Sequence, residues 1–146
     1  MATRVACIHT LVVYGASDRA DAALGRLARA AVKRGDRVTV LSLAPREPDS
    51  RGCCDTRSVL WNKVCTDLAR EDLTRAAHAA GAGIESGVVH FPGRGAADAV
   101  VREAVARGAD EIVLADPRVG GLGRLARRRL RRISPVPVSM GDPLGP

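Results

Sequence analysis

At 146 residues the chain fits one domain over residues 1–146, long enough to bury a full core without disulfide or metal staples. Its formal charge of +7 is concentrated, because Arg124, Arg127, Arg128, Arg129, Arg131 and Arg132 supply six of it, so the basicity is one local patch and not a field over the whole surface. Tyr14, Trp61 and Phe91 are the only aromatic residues, which excludes broad base stacking of the kind single-strand binders use, and no apolar run reaches membrane-spanning length.

Val5 to Tyr14 reads as a first strand, continuously apolar in its second half and ending at Gly15. Gly15-Ala16-Ser17-Asp18 is a turn in which Ser17 or Asp18 caps the next helix, since a short side-chain oxygen there accepts from orphan amides. Ala20, Ala23, Leu24, Leu27, Ala30 and Ala31 then recur at helical spacing until Gly35 stops the run. Arg37 to Leu43 is the second strand, followed by a polar loop from Pro45 to Gly52. The next helix runs from Thr56 to Ala80, with Val59, Leu60, Val64, Leu68, Leu73, Ala76 and Ala77 as the expected buried stripe, and ends at Gly81 and Gly83. Ile84 to Phe91 is the third strand. Pro92-Gly93-Arg94-Gly95 breaks the chain before a helix from Ala96 to Arg107 that should bury Ala99, Val100, Ala104 and Val105 and end at Gly108.

From Gly108 to Met140 a strand, a glycine loop, an arginine-rich helix and a closing strand follow one another without interruption. Glu111 to Ala115 has the short β-branched core of a strand buried on both faces. Val119-Gly120-Gly121-Leu122-Gly123 lets the backbone turn sharply and present amides at a helix start. In the following helix Leu122, Leu125, Ala126, Leu130 and Ile133 fall on one face and the arginines on the other, so a solvated charged face is the expectation. Arg127-Arg128-Arg129 repel one another unless an acidic group screens them. Pro135 to Met140 closes the chain as a strand whose prolines suit a sheet edge. Helices between all strands predict an α/β fold, an open doubly wound five-stranded parallel sheet in order 3-2-1-4-5 with right-handed crossovers. The ends of its strands near Tyr14, Leu43 and Ala115 should line one crevice, where such sheets place their ligands.

Chemistry beyond that crevice is thin. Cys7, Cys53, Cys54 and Cys65 lack the paired spacing of a zinc site. With no leader pattern at Met1 the chain is expected in a reducing cytoplasm, where such thiols stay unpaired. His9, His78 and His90 are far apart, no Gly-x-Ser-x-Gly elbow supplies a nucleophile, and Asp110, Glu111 and Asp116 read as solvated or turn-forming, so neither a catalytic nor a metal site is expected.

Gly93, Ala99-Val100, Ala104 and Gly108-Ala109-Asp110-Glu111-Ile112-Val113-Leu114, followed by Gly120-Gly121-Leu122-Gly123 and Pro135-Val136-Pro137-Val138, together resemble the universal stress protein family over nearly the whole chain. The resemblance implies a Rossmann-like domain of a stress-response protein that acts by binding and not as an enzyme. It also implies a homodimer paired through the closing edge strand. In nucleotide-binding members an acidic residue ends the first strand and a Gly-x-x-Gly, nine-residue, Gly-Ser/Thr signature holds the phosphates. Here Val13-Tyr14-Gly15-Ala16 stands at the strand end, Ala115 and Arg118 take the places of the first two glycines, and Gly123-Arg124 falls near the last pair after a shorter loop.

The candidate nucleotide contacts are therefore Tyr14, Gly15, Leu43, Ala115, Gly120, Gly121, Gly123 and Arg124, with ATP as the candidate cofactor. Exposed amides beside an arginine suit an anion, whereas the broken signature points to a non-binding member. An ATP-binding regulator is the second reading. A polyanion or nucleic-acid binder working through residues 124–132 is the third and is not expected, because stacking aromatics are missing and the basic face is one short helix long.

Overall fold

A computed structural model describes residues 7–47, 56–81, 83–116 and 122–141. Among these residues nine elements follow in chain order: β1 (His9–Val13), α1 (Asp18–Arg34), β2 (Arg37–Arg46), α2 (Thr56–Ala80), β3 (Glu85–Pro92), α3 (Ala96–Arg107), β4 (Glu111–Leu114), α4 (Arg124–Ile133) and β5 (Val138–Met140). The five strands form one parallel sheet in the order β3-β2-β1-β4-β5, as the alternation of elements predicts.

Side chains of a strand alternate between faces, so the central strands feed two cores. Leu11, Val13, Leu41, Ile112 and Leu114 meet Val100 and Ala104 of α3 and Leu130 of α4. Val12, Tyr14, Val40 and Val113 meet Ala20, Leu24 and Ala31 of α1 and Ala76 of α2. The helix faces against the sheet are rich in alanine, which lets helix and sheet approach closely. Gly35 ends α1 in the left-handed conformation at φ 71, where its amide reaches the carbonyls of Ala31 and Val32.

Several boundaries and faces differ from the sequence expectation. β1 starts at His9 among the described residues and ends at Val13, with Tyr14 just beyond it. β2 continues to Arg46 and carries Pro45, which pairs with Phe91 of β3. The ladder to β1 ends at Val13 and Leu41, so at Pro45 the strand has a partner on one side only and the missing amide proton costs no ladder bond there. The loop expected from Pro45 to Gly52 lies outside the described residues beyond Glu47.

The buried stripe of α2 is not the expected one. Ser58, Cys65, Ala69 and Ala76 are buried, Leu73 is half-buried, and Val59, Leu60, Val64, Leu68 and Ala77 face outward. Cys65 and Ala69 close on Ala44 of β2, and small side chains allow that approach where Leu or Val would hold the helix off. Val105 of α3 and Leu125 of α4 are likewise exposed, while Ala96 and Ala97 join Ala99, Val100 and Ala104 in the core. The prolines at 135 and 137 precede β5, which pairs with β4 from Val138 onward and forms the sheet edge.

Candidate functional site

The strand register sets Val13, Leu41 and Leu114 level, so the chain leaves β1 and β4 side by side at Tyr14 and Ala115. Both backbones remain tied to the sheet there: Tyr14 N donates to Leu41 O at 2.8 Å and Ala115 N to Val13 O at 3.0 Å. Tyr14 is 1% exposed and Ala115 is fully buried, both in the core beneath α1 and α2. The Tyr14 hydroxyl donates to Asp21 Oδ1 at 2.5 Å. Asp21 in turn holds Arg75 of α2, whose Nε and terminal nitrogen donate at 2.8 and 2.7 Å, and Arg75 also reaches Asp18 at 3.2 Å. Burial first, and the hydrogen bond to Asp21 second, push the Tyr14 phenol well above its ordinary value. The side chain that ends the first strand is therefore neutral and committed to the α1–α2 side.

Ser17 caps α1, its Oγ accepting from Ala20 N at 3.0 Å. The same hydroxyl donates to Asp116 Oδ2 at 2.6 Å, across the mouth of the crevice from the residue after Ala115. Asp116 is 6% exposed. Reading Asp116 as a turn former missed this bond, which joins residues 99 apart in the chain. Asp110 and Glu111 are also engaged, accepting from His9 N at 2.8 Å and Thr10 Oγ1 at 2.6 Å.

The other candidate residues are spread. Gly15 is half-exposed beside Tyr14. Leu43 packs against the opposite core, beneath α3 and α4, so it does not share a face with Tyr14 and Ala115. Gly123 is the N-cap of α4 and offers no side-chain acceptor to the first turn, which holds no acidic residue. Arg124 is exposed and has no hydrogen-bond or ion-pair partner among the described residues. Gly120, Gly121 and Arg118 lie outside the described residues. Along α4, Arg124, Arg127, Arg128 and Arg131 border a cavity of about 320 Å³. Arg127 Nε is buried with no hydrogen-bond partner, whereas Arg129 is held by Asp98 of α3 at 3.1 Å.

The remaining reactive side chains are accounted for structurally. His9 is buried; its Nδ1 donates to Arg107 O at 3.2 Å and its Nε2 lies 2.7 Å from Thr39 Oγ1. Among the described residues no three His, Cys, Asp or Glu side chains gather as metal ligands. Cys65 is buried, and burial followed by the charge of Glu47 raises its thiol, so it is a poor nucleophile. Cys53 and Cys54 lie outside the described residues. No helix among the described residues is long and apolar enough to cross a membrane.

A five-stranded doubly wound sheet whose first and fourth strands open a crevice, with a glycine-capped helix following the fourth, defines the Rossmann-like class of α/β binding domains. The sequence model of the universal stress protein family matches residues 9–138, and the chain belongs to that family. No curated protein matches it. Among solved structures, a universal stress protein family member from Burkholderia pseudomallei is 21% identical and superposes with a TM-score of 0.64, covering 90% of this chain and 93% of that one. The universal stress protein from Archaeoglobus fulgidus, solved in complex with dAMP, is 22% identical with a TM-score of 0.57 over 93% and 98% of the two chains. A further universal stress protein, solved in complex with cAMP, is 20% identical with a TM-score of 0.55 over 91% and 95%.

Proposed function

We propose that the chain is a cytoplasmic stress-response regulator that acts by binding, without catalysis, and that its ancestral nucleotide crevice is closed. The reading rests on the buried Tyr14 hydroxyl held by Asp21 where nucleotide-binding members carry an acid. Asp116, the acid that follows Ala115, is already engaged by Ser17 across the mouth. A nucleotide would have to break a buried hydrogen bond and replace it. The test is mass spectrometry of the denatured purified protein for co-purified ATP or AMP, joined to calorimetry. The expected result is no nucleotide and no heat at millimolar ATP; either one found would transfer the chain to the binding group.

The second reading, an ATP-binding regulator, is favoured by one observation. The first turn of α4 has free amides, no acidic side chain, and Arg124 beside it, an arrangement that suits phosphate, and two fold neighbours were solved with dAMP and cAMP. In that case the phosphates are expected on Gly120 to Arg124, and Arg124→Glu weakens binding at least tenfold, roughly 1.4 kcal/mol.

The proposed assembly is a homodimer through β5. As the edge strand it offers one unpaired row of backbone groups, and its apolar Val138 and Met140 are only half-buried. Met140→Pro, whose amide faces away from β4, should block that pairing and halve the mass seen in sedimentation.

A further inference from the structure

On α2 the small side chains face the sheet and the large ones face out. Leu60, Trp61, Val64 and Leu68 are 60%, 49%, 50% and 54% exposed, on one stripe about two turns long. Cys65 and Ala69 behind them are buried. A contiguous apolar stripe that includes a tryptophan is what a helix carries when another surface covers it.

We infer that a second copy of this chain covers it, with two α2 helices packed antiparallel about a two-fold axis at Val64. The sequence of the helix is self-complementary about that residue. Steps of four either way reach Leu60 and Leu68, so each leucine meets the other's counterpart. Steps of three reach Trp61 and Asp67, so an indole N–H meets a carboxylate. Steps of seven reach Arg57 and Glu71, which places opposite charges at both ends of the seam. An isologous interface demands this property, that each residue and its mirror position attract, and a parallel pair would set like charge against like. The surface is separate from β5: α2 packs on β2 through Cys65 and Ala69 while β5 is the far edge of the sheet, so a chain using both would form assemblies larger than a dimer.

Trp61 is the only tryptophan, so its emission reads this seam directly. With the full chain kept reduced and diluted over the micromolar range, the emission should move to shorter wavelength as concentration rises, in step with a mass increase in sedimentation equilibrium. Val64→Asp should abolish the emission change and leave thermal unfolding of the monomer in place, since Val64 is half-exposed. Arg57→Glu and Glu71→Arg should each weaken association about tenfold, and the two together should restore it. Pairing at β5 changes mass without moving Trp61 emission, so the two surfaces are separable. Trp61 emission that does not depend on concentration, or a double charge swap no better than its singles, overturns the inference.

Discussion

Tyr14 and Asp21 are joined by a 2.5 Å hydrogen bond that ties the end of β1 to the first turn of α1, and Arg75 ties the same carboxylate to α2. One acid thus fastens three elements at the floor of the crevice. The side chain just past the end of β1 serves to lock helices to the sheet.

Removing that hydroxyl should be felt in stability before anything else. Tyr14→Phe should cost about 1–2 kcal/mol at neutral pH, measured by denaturant unfolding, because Asp21 loses a buried donor. The phenol is held above its ordinary value, so the stability it contributes is present below about pH 10 and is lost as pH rises beyond it. The difference between wild type and Tyr14→Phe should therefore shrink in alkali. Tyr14 is the sole tyrosine, and its absorbance should show that it stays protonated in the folded chain near pH 10.

The helix α3–α4 contact has the opposite sign of pH dependence. Hydrogen bonding from Arg129 holds the Asp98 carboxyl below the usual range, and Arg37 does the same for Glu85. Such groups stabilise above the unfolded carboxylate pKa of about 4 and lose that contribution as pH falls through the folded values. Asp98→Asn should lower the melting temperature slightly at pH 7, and the gap should narrow as pH falls below about 4 in a calorimetric series.

Enlarging the inner face of α2 should hurt where enlarging the outer face does not. Ala76→Leu forces a side chain between α2 and the sheet and should cost about 1–3 kcal/mol. Leu68→Gln on the outer face should stay within about 0.5 kcal/mol of wild type at concentrations where the chain is monomeric. Chemical denaturation of the two variants checks both.

The arginine helix should attract nucleic acid only weakly. Arg124, Arg127, Arg128 and Arg131 lie on one face without ion-pair partners among the described residues, and each phosphate they neutralise steepens the salt dependence by about 0.9 in log units on duplex DNA. Binding at low salt should therefore vanish near physiological ionic strength. Micromolar binding to DNA or RNA at about 150 mM salt, abolished by charge reversal at Arg127, Arg128 and Arg131, would sink this expectation.

Hydrophobic period, glycine stops and the alternation of elements were enough to give every strand and helix, the limits of α2 and α3 and the order of the sheet, because these depend on local spacing and on the handed crossover that any buried parallel sheet requires. A cap at Ser17 or Asp18 was legible for the same reason, since the partner amide is a few residues away, and the structure selects Ser17. The candidate site was less legible. That Leu43 and Tyr14 stand on opposite faces follows from the register of β2 against β1, and that Asp116 is spent on Ser17 follows from two segments 99 residues apart meeting at the mouth. On α2 the sequence put Val59, Leu60, Val64 and Leu68 inside, but distance to the sheet decided otherwise, and at the approach set by Ala44 only small side chains fit. Local sequence determined which elements form and in what order; the tertiary structure alone decided which side of each faces inward and which polar groups already hold one another, because those depend on pairs far apart in the chain.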